Sequence, residues 1–136
     1  MKKLSMAVIA VFFLFSAASG PAAFVDIQKG KTDDVEFMTG GVGLGERQAM
    51  EEKARDYNLK LVFAIIQGNY LADIPVTIAK RGTGEKVLET VTNGPWLFAK
   101  LPHGWYVVKA THAGQEKSRT LHVGRDMSIT MFHWQK

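Results

Sequence analysis

The chain has 136 residues, of which 46% are apolar and 22% charged, with a formal net charge of +4 and no cysteine. Without cysteine, neither disulfides nor thiolate metal ligands support the fold, so apolar burial has to hold it together. With Lys2 and Lys3 set aside as leader residues, 15 cations face 13 anions. That balance is too even for a nucleic-acid or polybasic membrane-binding surface.

The first 23 residues have the order of a signal peptide. Lys2 and Lys3 form a positive start, Leu4 to Phe15 is a nearly unbroken apolar stretch, and small residues follow from Ser16 to Ala23. The apolar run is shorter than the roughly 20 residues of a membrane-spanning helix, so cleavage within residues 18–23 is expected, with no span left afterwards. The expected compartment is the periplasm. About 110 residues then remain, enough for one domain.

Residues 24–45 read as a flexible, glycine-rich arm, with Val35-Glu36-Phe37-Met38 as a short extended piece inside it. Its last part, Gly40-Gly41-Val42-Gly43-Leu44-Gly45, puts four glycines in six residues. A short helix is expected over residues 46–57, because Met50, Ala54 and Tyr57 fall on one face at helical spacing. Glu51 and Arg55 support it as an i,i+4 pair. A helix this short needs a sheet to lie against.

From Leu59 the apolar period changes to two, and residues 58–136 read as a β-domain. Leu59, Leu61, Phe63 and Ile65 share one strand face, while Val62, Ala64 and Ile66 make the other apolar too. This strand is expected to be buried on both sides. Six more strands are expected at Pro75–Lys80, Lys86–Thr92, Trp96–Lys100, Gly104–Thr111, Gln115–Val123 and Met127–Trp134. Between them stand the turn residues Arg81-Gly82-Thr83-Gly84, Asn93-Gly94-Pro95 and His112-Ala113-Gly114. Seven short strands so spaced predict an antiparallel sandwich. Leu101-Pro102-His103-Gly104 reads as a tight hairpin turn, with Tyr106 burying its ring and keeping its hydroxyl near the rim.

Several of these segments resemble a known family. Leu71-Ala72-Asp73-Ile74-Pro75-Val76-Thr77-Ile78, Val91-Thr92-Asn93-Gly94 and Leu101-Pro102-His103-Gly104-Trp105-Tyr106-Val107-Val108-Lys109-Ala110 are similar to the carboxypeptidase regulatory-like domain. The resemblance covers about residues 58–134. It implies a mainly β, seven-stranded prealbumin-like (transthyretin-like) sandwich with one short N-terminal helix. Residues 40–64 also resemble small uncharacterised proteobacterial periplasmic proteins that carry this domain. Members serve as accessory, adhesive or carbohydrate-binding-like modules, and the domain is not the catalytic part of carboxypeptidases. No site motif is shared, so no functional residue carries over.

The candidate chemistry is sparse. Gly41-x-Gly43-x-Gly45 before a helix lacks the Lys-Ser/Thr of a phosphate loop and the βαβ setting of a dinucleotide site, so it reads as a turn. His103, His112, His122 and His133 show no short metal-ligand spacing, and Met38, Met50, Met127 and Met131 are not clustered. Ser118 and Ser128 stand in no nucleophile elbow. The reading is therefore no enzyme and no cofactor. It is a binding or structural accessory module of the cell envelope, whose partner is an envelope protein or a glycan. The alternatives are a weak carbohydrate-binding module and, further off, a periplasmic metal-binding protein or enzyme. The candidate binding residues are Trp96, Trp105 and His103. If Leu97 and Tyr106 face the core, Trp96 and Trp105 face outward and are expected as neighbours on one outer face. The helix over residues 46–57 is expected to cover that face. Left bare, it is an aromatic platform.

Overall fold

A computed structural model describes residues 28–32 and 35–135, with side chains from residue 35 onward. The leader expected over residues 1–23 and the start of the arm lie outside the described residues. Among the described residues no helix is long and apolar enough to cross a membrane.

The chain runs β1 (Gln28–Thr32), β2 (Val35–Gly40), α1 (Gly43–Lys53) with a 3-10 turn at Ala54–Asp56, β3 (Leu59–Ile65), β4 (Pro75–Lys80), β5 (Lys86–Val91), β6 (Trp96–Lys100), β7 (Gly104–His112), β8 (Gln115–Val123) and β9 (Ser128–Trp134). Two sheets form, with orders β1-β2-β6-β3-β9 and β5-β4-β7-β8. The protein is a mainly β two-sheet sandwich with one short helix. The seven expected strands are β3 to β9, most of them within one residue at each end.

Several expectations are corrected. Residues 28–40, expected within a flexible arm, form β1 and β2, and β2 pairs with β6 over Glu36↔Lys100 to Gly40↔Trp96. The alternation of Val35 and Phe37 on one side with Met38 on the other was a strand signal, but only pairing with β6 stabilises so short a piece. The helix also starts inside the glycine run, at Gly43 rather than Glu46. Finally, the sandwich is not wholly antiparallel. β9 pairs in parallel with β3, from Leu59↔Ser128 to Ile65↔Trp134. It is reached from the other sheet, so its direction follows from the crossing and not from a hairpin.

The Leu101-Pro102-His103-Gly104 segment is not a hairpin either. It links β6 in one sheet to β7 in the other. Pro102 and Gly104 suit any abrupt change of direction, so the local pattern alone does not separate a hairpin from a crossing. The two apolar rows still meet, now face to face across the sandwich: Leu97, Ala99 and Leu101 from one sheet, Tyr106, Val108 and Ala110 from the other, all buried in one core. The crossing is held by two clamps. Tyr106, only 2% exposed, donates its hydroxyl proton to the Pro102 carbonyl at 2.6 Å. The Asn58 side chain accepts from Leu101 N–H at 2.9 Å and donates to Leu101 O at 2.8 Å and to Gly124 O at 3.2 Å.

β3 is buried on both faces as its composition requires. Leu59, Leu61 and Phe63 enter the core, and Val62 and Ala64 are covered on the opposite face. Phe63, Phe132 and Trp134 pack as an aromatic group with ring centroids 5.6 to 6.4 Å apart. The Trp134 indole N–H donates to Gln115 O at 3.0 Å, so its one polar atom is satisfied inside.

Candidate functional site

The two outer faces of the sandwich differ. On the five-stranded sheet, α1 lies across the outward residues of β2 and β6. Met38, Met50 and Phe98 are fully buried there, with Ala54, Tyr57, Trp96 and Met127 packed around them. The helix start is fastened locally: Glu46 accepts from Gly41 N–H at 3.2 Å, and Arg47 Nε donates to Gly41 O at 3.0 Å. Gly41 has φ of 97°, and a Cβ there would press on Trp96 Cγ at 3.1 Å. A Cβ on Gly94 would fall on the Gly40 carbonyl. These glycines serve close packing of backbone and indole.

Trp96 is thus half-buried beside the helix. Lys60 Nζ stands 3.7 Å from its ring centroid and pairs with Glu51 at 2.7 Å, and the Arg47 guanidinium lies over Tyr70 at 4.7 Å and Trp96 at 6.0 Å. Cations over indole faces that are partly shielded from water gain more than surface ion pairs do. Burial holds the Tyr57 phenol above its ordinary pKa, and the negative charges of Glu36 and Asp56 add to this.

On the four-stranded sheet no helix covers the outer face among the described residues. Trp105 is 52% exposed. Its strand partner is His122, with ring centroids 5.1 Å apart, and the Arg81 guanidinium stands 5.3 Å over the indole. Arg81 N–H also donates to Trp105 O at 3.0 Å, which holds the β4–β5 turn against the tryptophan. Val107, Lys109 and Thr111 continue the same outward row. Beside Thr77 and Ala79 of β4 they line a shallow groove of about 560 Å³. Pro75, Lys80, Arg81, Lys86 and Glu116 also line it.

The three residues singled out by sequence therefore lie apart. The outward phase of Trp96 and Trp105 holds, but the chain changes sheet between them. They sit on opposite outer faces and are not neighbours. The helix covers Trp96 alone. His103 is exposed in the crossing, beside Asn58 and Lys100 at one end of the sandwich. The other histidines are also spread out: His112 packs edge-on against Trp134, His122 against Trp105, and His133 lies on edge strand β9. Among the described residues no three of histidine, aspartate and glutamate converge. Arg81 and His122 join Trp105 only through strand register and a turn, and neither carries a local signal in the sequence. No protein-family model and no curated protein matches the chain.

Proposed function

We propose that this chain is a non-enzymatic accessory module of the cell envelope, exported to the periplasm with its leader removed, which binds its partner on the bare outer face of the four-stranded sheet. The observation that carries this reading is the contrast between the faces. On one, α1 covers the outward residues of β2 and β6. The other leaves Trp105 half exposed between Arg81 and His122, with a groove on the same face that Arg81 also lines. Tryptophan and arginine are enriched among the residues that anchor binding surfaces, and here they stand together. The two-sheet architecture and the Leu101 to Ala110 segment support assignment to the carboxypeptidase regulatory-like, prealbumin-like group.

Of the two partner classes, the glycan is favoured by the composition of the face. The indole offers a flat apolar surface to sugar C–H groups, and Thr77, Lys109 and Thr111, farther along the same face, offer hydrogen bonds to the rest of an extended saccharide. Tryptophan fluorescence tests this: Trp134 is buried and Trp96 half-buried, so the response of Trp105 is read as the difference between the parent protein and Trp105→Ala. Titration with peptidoglycan fragments and neutral oligosaccharides is expected to shift or quench emission in the parent protein and not in Trp105→Ala. An unchanged spectrum with every saccharide, with protein partners recovered by periplasmic co-purification and lost in Trp105→Ala, would replace the glycan by an envelope protein. Partners that Trp105→Ala still retains would refute the face itself.

A further inference from the structure

The four sheet edges are not alike. β1 carries Lys29, Gly30 and Lys31; β5 carries Lys86 and Glu89 and pairs with an irregular register at Ile78/Ala79; β8 carries Glu116, Lys117 and Arg119. Charges, glycines and bulges of this kind keep edges from pairing with other chains. β9, Ser-Ile-Thr-Met-Phe-His-Trp, has none of them. It is seven residues long, has no formally charged side chain, and is paired on one side only.

The backbone of β9 presents a defined set of groups. Ser128 N–H donates to Asn58 O, and Trp134 O accepts from Ile66 N–H, both at 2.9 Å. In a parallel ladder the residues that bond a neighbour with both groups alternate with residues that turn both away. Ser128, Thr130, Phe132 and Trp134 therefore face β3, and Ile129, Met131 and His133 direct N–H and C=O outward from the edge. The links from β9 to β8, Ser128 Oγ to His122 O and Trp134 Nε1 to Gln115 O, use side chains. The outward backbone groups have no partner among the described residues. The same residues carry exposed apolar side chains, Ile129 at 65% and Met131 at 44%.

We propose that β9 is a dimer edge, where a second copy of this chain pairs antiparallel about a two-fold axis at Met131. Met131 then faces Met131 of the second copy, and Ile129 faces His133 of the second copy in both directions. At each pair, N–H···O bonds run both ways. The strand is self-complementary in this register. Charge permits it as well: β9 carries no formally charged side chain, so self-pairing sets no formal like charges opposite each other. The paired sheets run through the dimer, and the groove beside Trp105 lies on the other sheet, so this inference stands or falls separately from the ligand face.

The test combines sedimentation with hydrogen exchange on the parent protein. A concentration series is expected to show twice the chain mass, dissociating on dilution. Met131→Lys, which sets two ammonium groups opposite each other, is expected to weaken association roughly tenfold or more. Met131→Leu and Trp105→Ala are expected to keep it. Exchange supplies a readout independent of whether a variant folds: the amides of Ile129, Met131 and His133 are fast in dilute protein and slow in concentrated protein, while those of Thr130 and Phe132 are slow in both. A monomer at every concentration would overturn the proposal, as would a dimer in which the three alternate amides stay fast. Recovery of β9 paired with a different protein, with no self-association, would overturn it too.

Discussion

Replacing Asn58 with alanine is expected to loosen the crossing between the sheets more than any substitution of equal size on the surface. The side chain makes three hydrogen bonds: two with Leu101, one accepting from its N–H and one donating to its carbonyl, and one with Gly124 O. Leu101 is 3% exposed, so its backbone groups lose their partner where water enters poorly. A typical internal hydrogen bond contributes about 0.5–1.5 kcal/mol net, and an orphaned buried group costs about 1–3 kcal/mol. Because Asn58 is itself only half buried, water recovers part of this, which leaves a loss of about 3 kcal/mol. With a guanidinium chloride slope of about 3 kcal/mol/M for a domain of this size, the unfolding midpoint falls by about 1 M. Tyr106→Phe removes one bond, from the hydroxyl to Pro102 O, and is expected to cost about 1 kcal/mol. The two residues hold adjacent carbonyls of one segment, so the double variant is expected to lose less than the sum, with a coupling of about 0.5 kcal/mol or more. The measurement is equilibrium denaturation of the four proteins. A change under about 0.5 kcal/mol for Asn58→Ala would show that the crossing does not depend on this clamp.

Two other perturbations read different parts of the fold. Gly94→Ala places a methyl on the Gly40 carbonyl, so the turn before β6 has to separate from the end of β2; a loss of about 2–4 kcal/mol is expected in thermal or denaturant unfolding, and a neutral result would refute that close approach. Burial raises the pKa of the Tyr57 and Tyr106 phenols in the folded chain, with Glu36 and Asp56 adding to the effect at Tyr57. The unfolded chain then loses its phenol protons first, so the contribution is complete below a pH of about 10 and is lost as pH rises through the raised folded values. The denaturant midpoint is expected to fall across that range, and to fall less steeply in the Tyr57→Phe/Tyr106→Phe double variant; equal slopes would refute the assignment.

The position of seven strands, and the inward phase of β6 and β7, follow from the sequence alone. Period-two alternation in segments such as Pro75–Lys80 and Trp96–Lys100 is a local property, and each is short enough that turn residues mark its ends. The same periodicity correctly turned Trp96 and Trp105 away from the core. What lies beyond it is non-local. Whether Leu101–Gly104 folds back within one sheet or crosses to the other is decided by Asn58, 43 positions away, and by the β3–β6 and β4–β7 pairings on either side. That crossing separates the two tryptophans and moves Trp105 next to Arg81 and His122. The parallel placement of β9, and with it the uncharged edge, likewise depends on which strand receives it. Local pattern fixes phase, because a side chain must point in or out. Tertiary structure decides neighbours, because the partner that lowers the free energy of each strand lies tens of residues away in the chain.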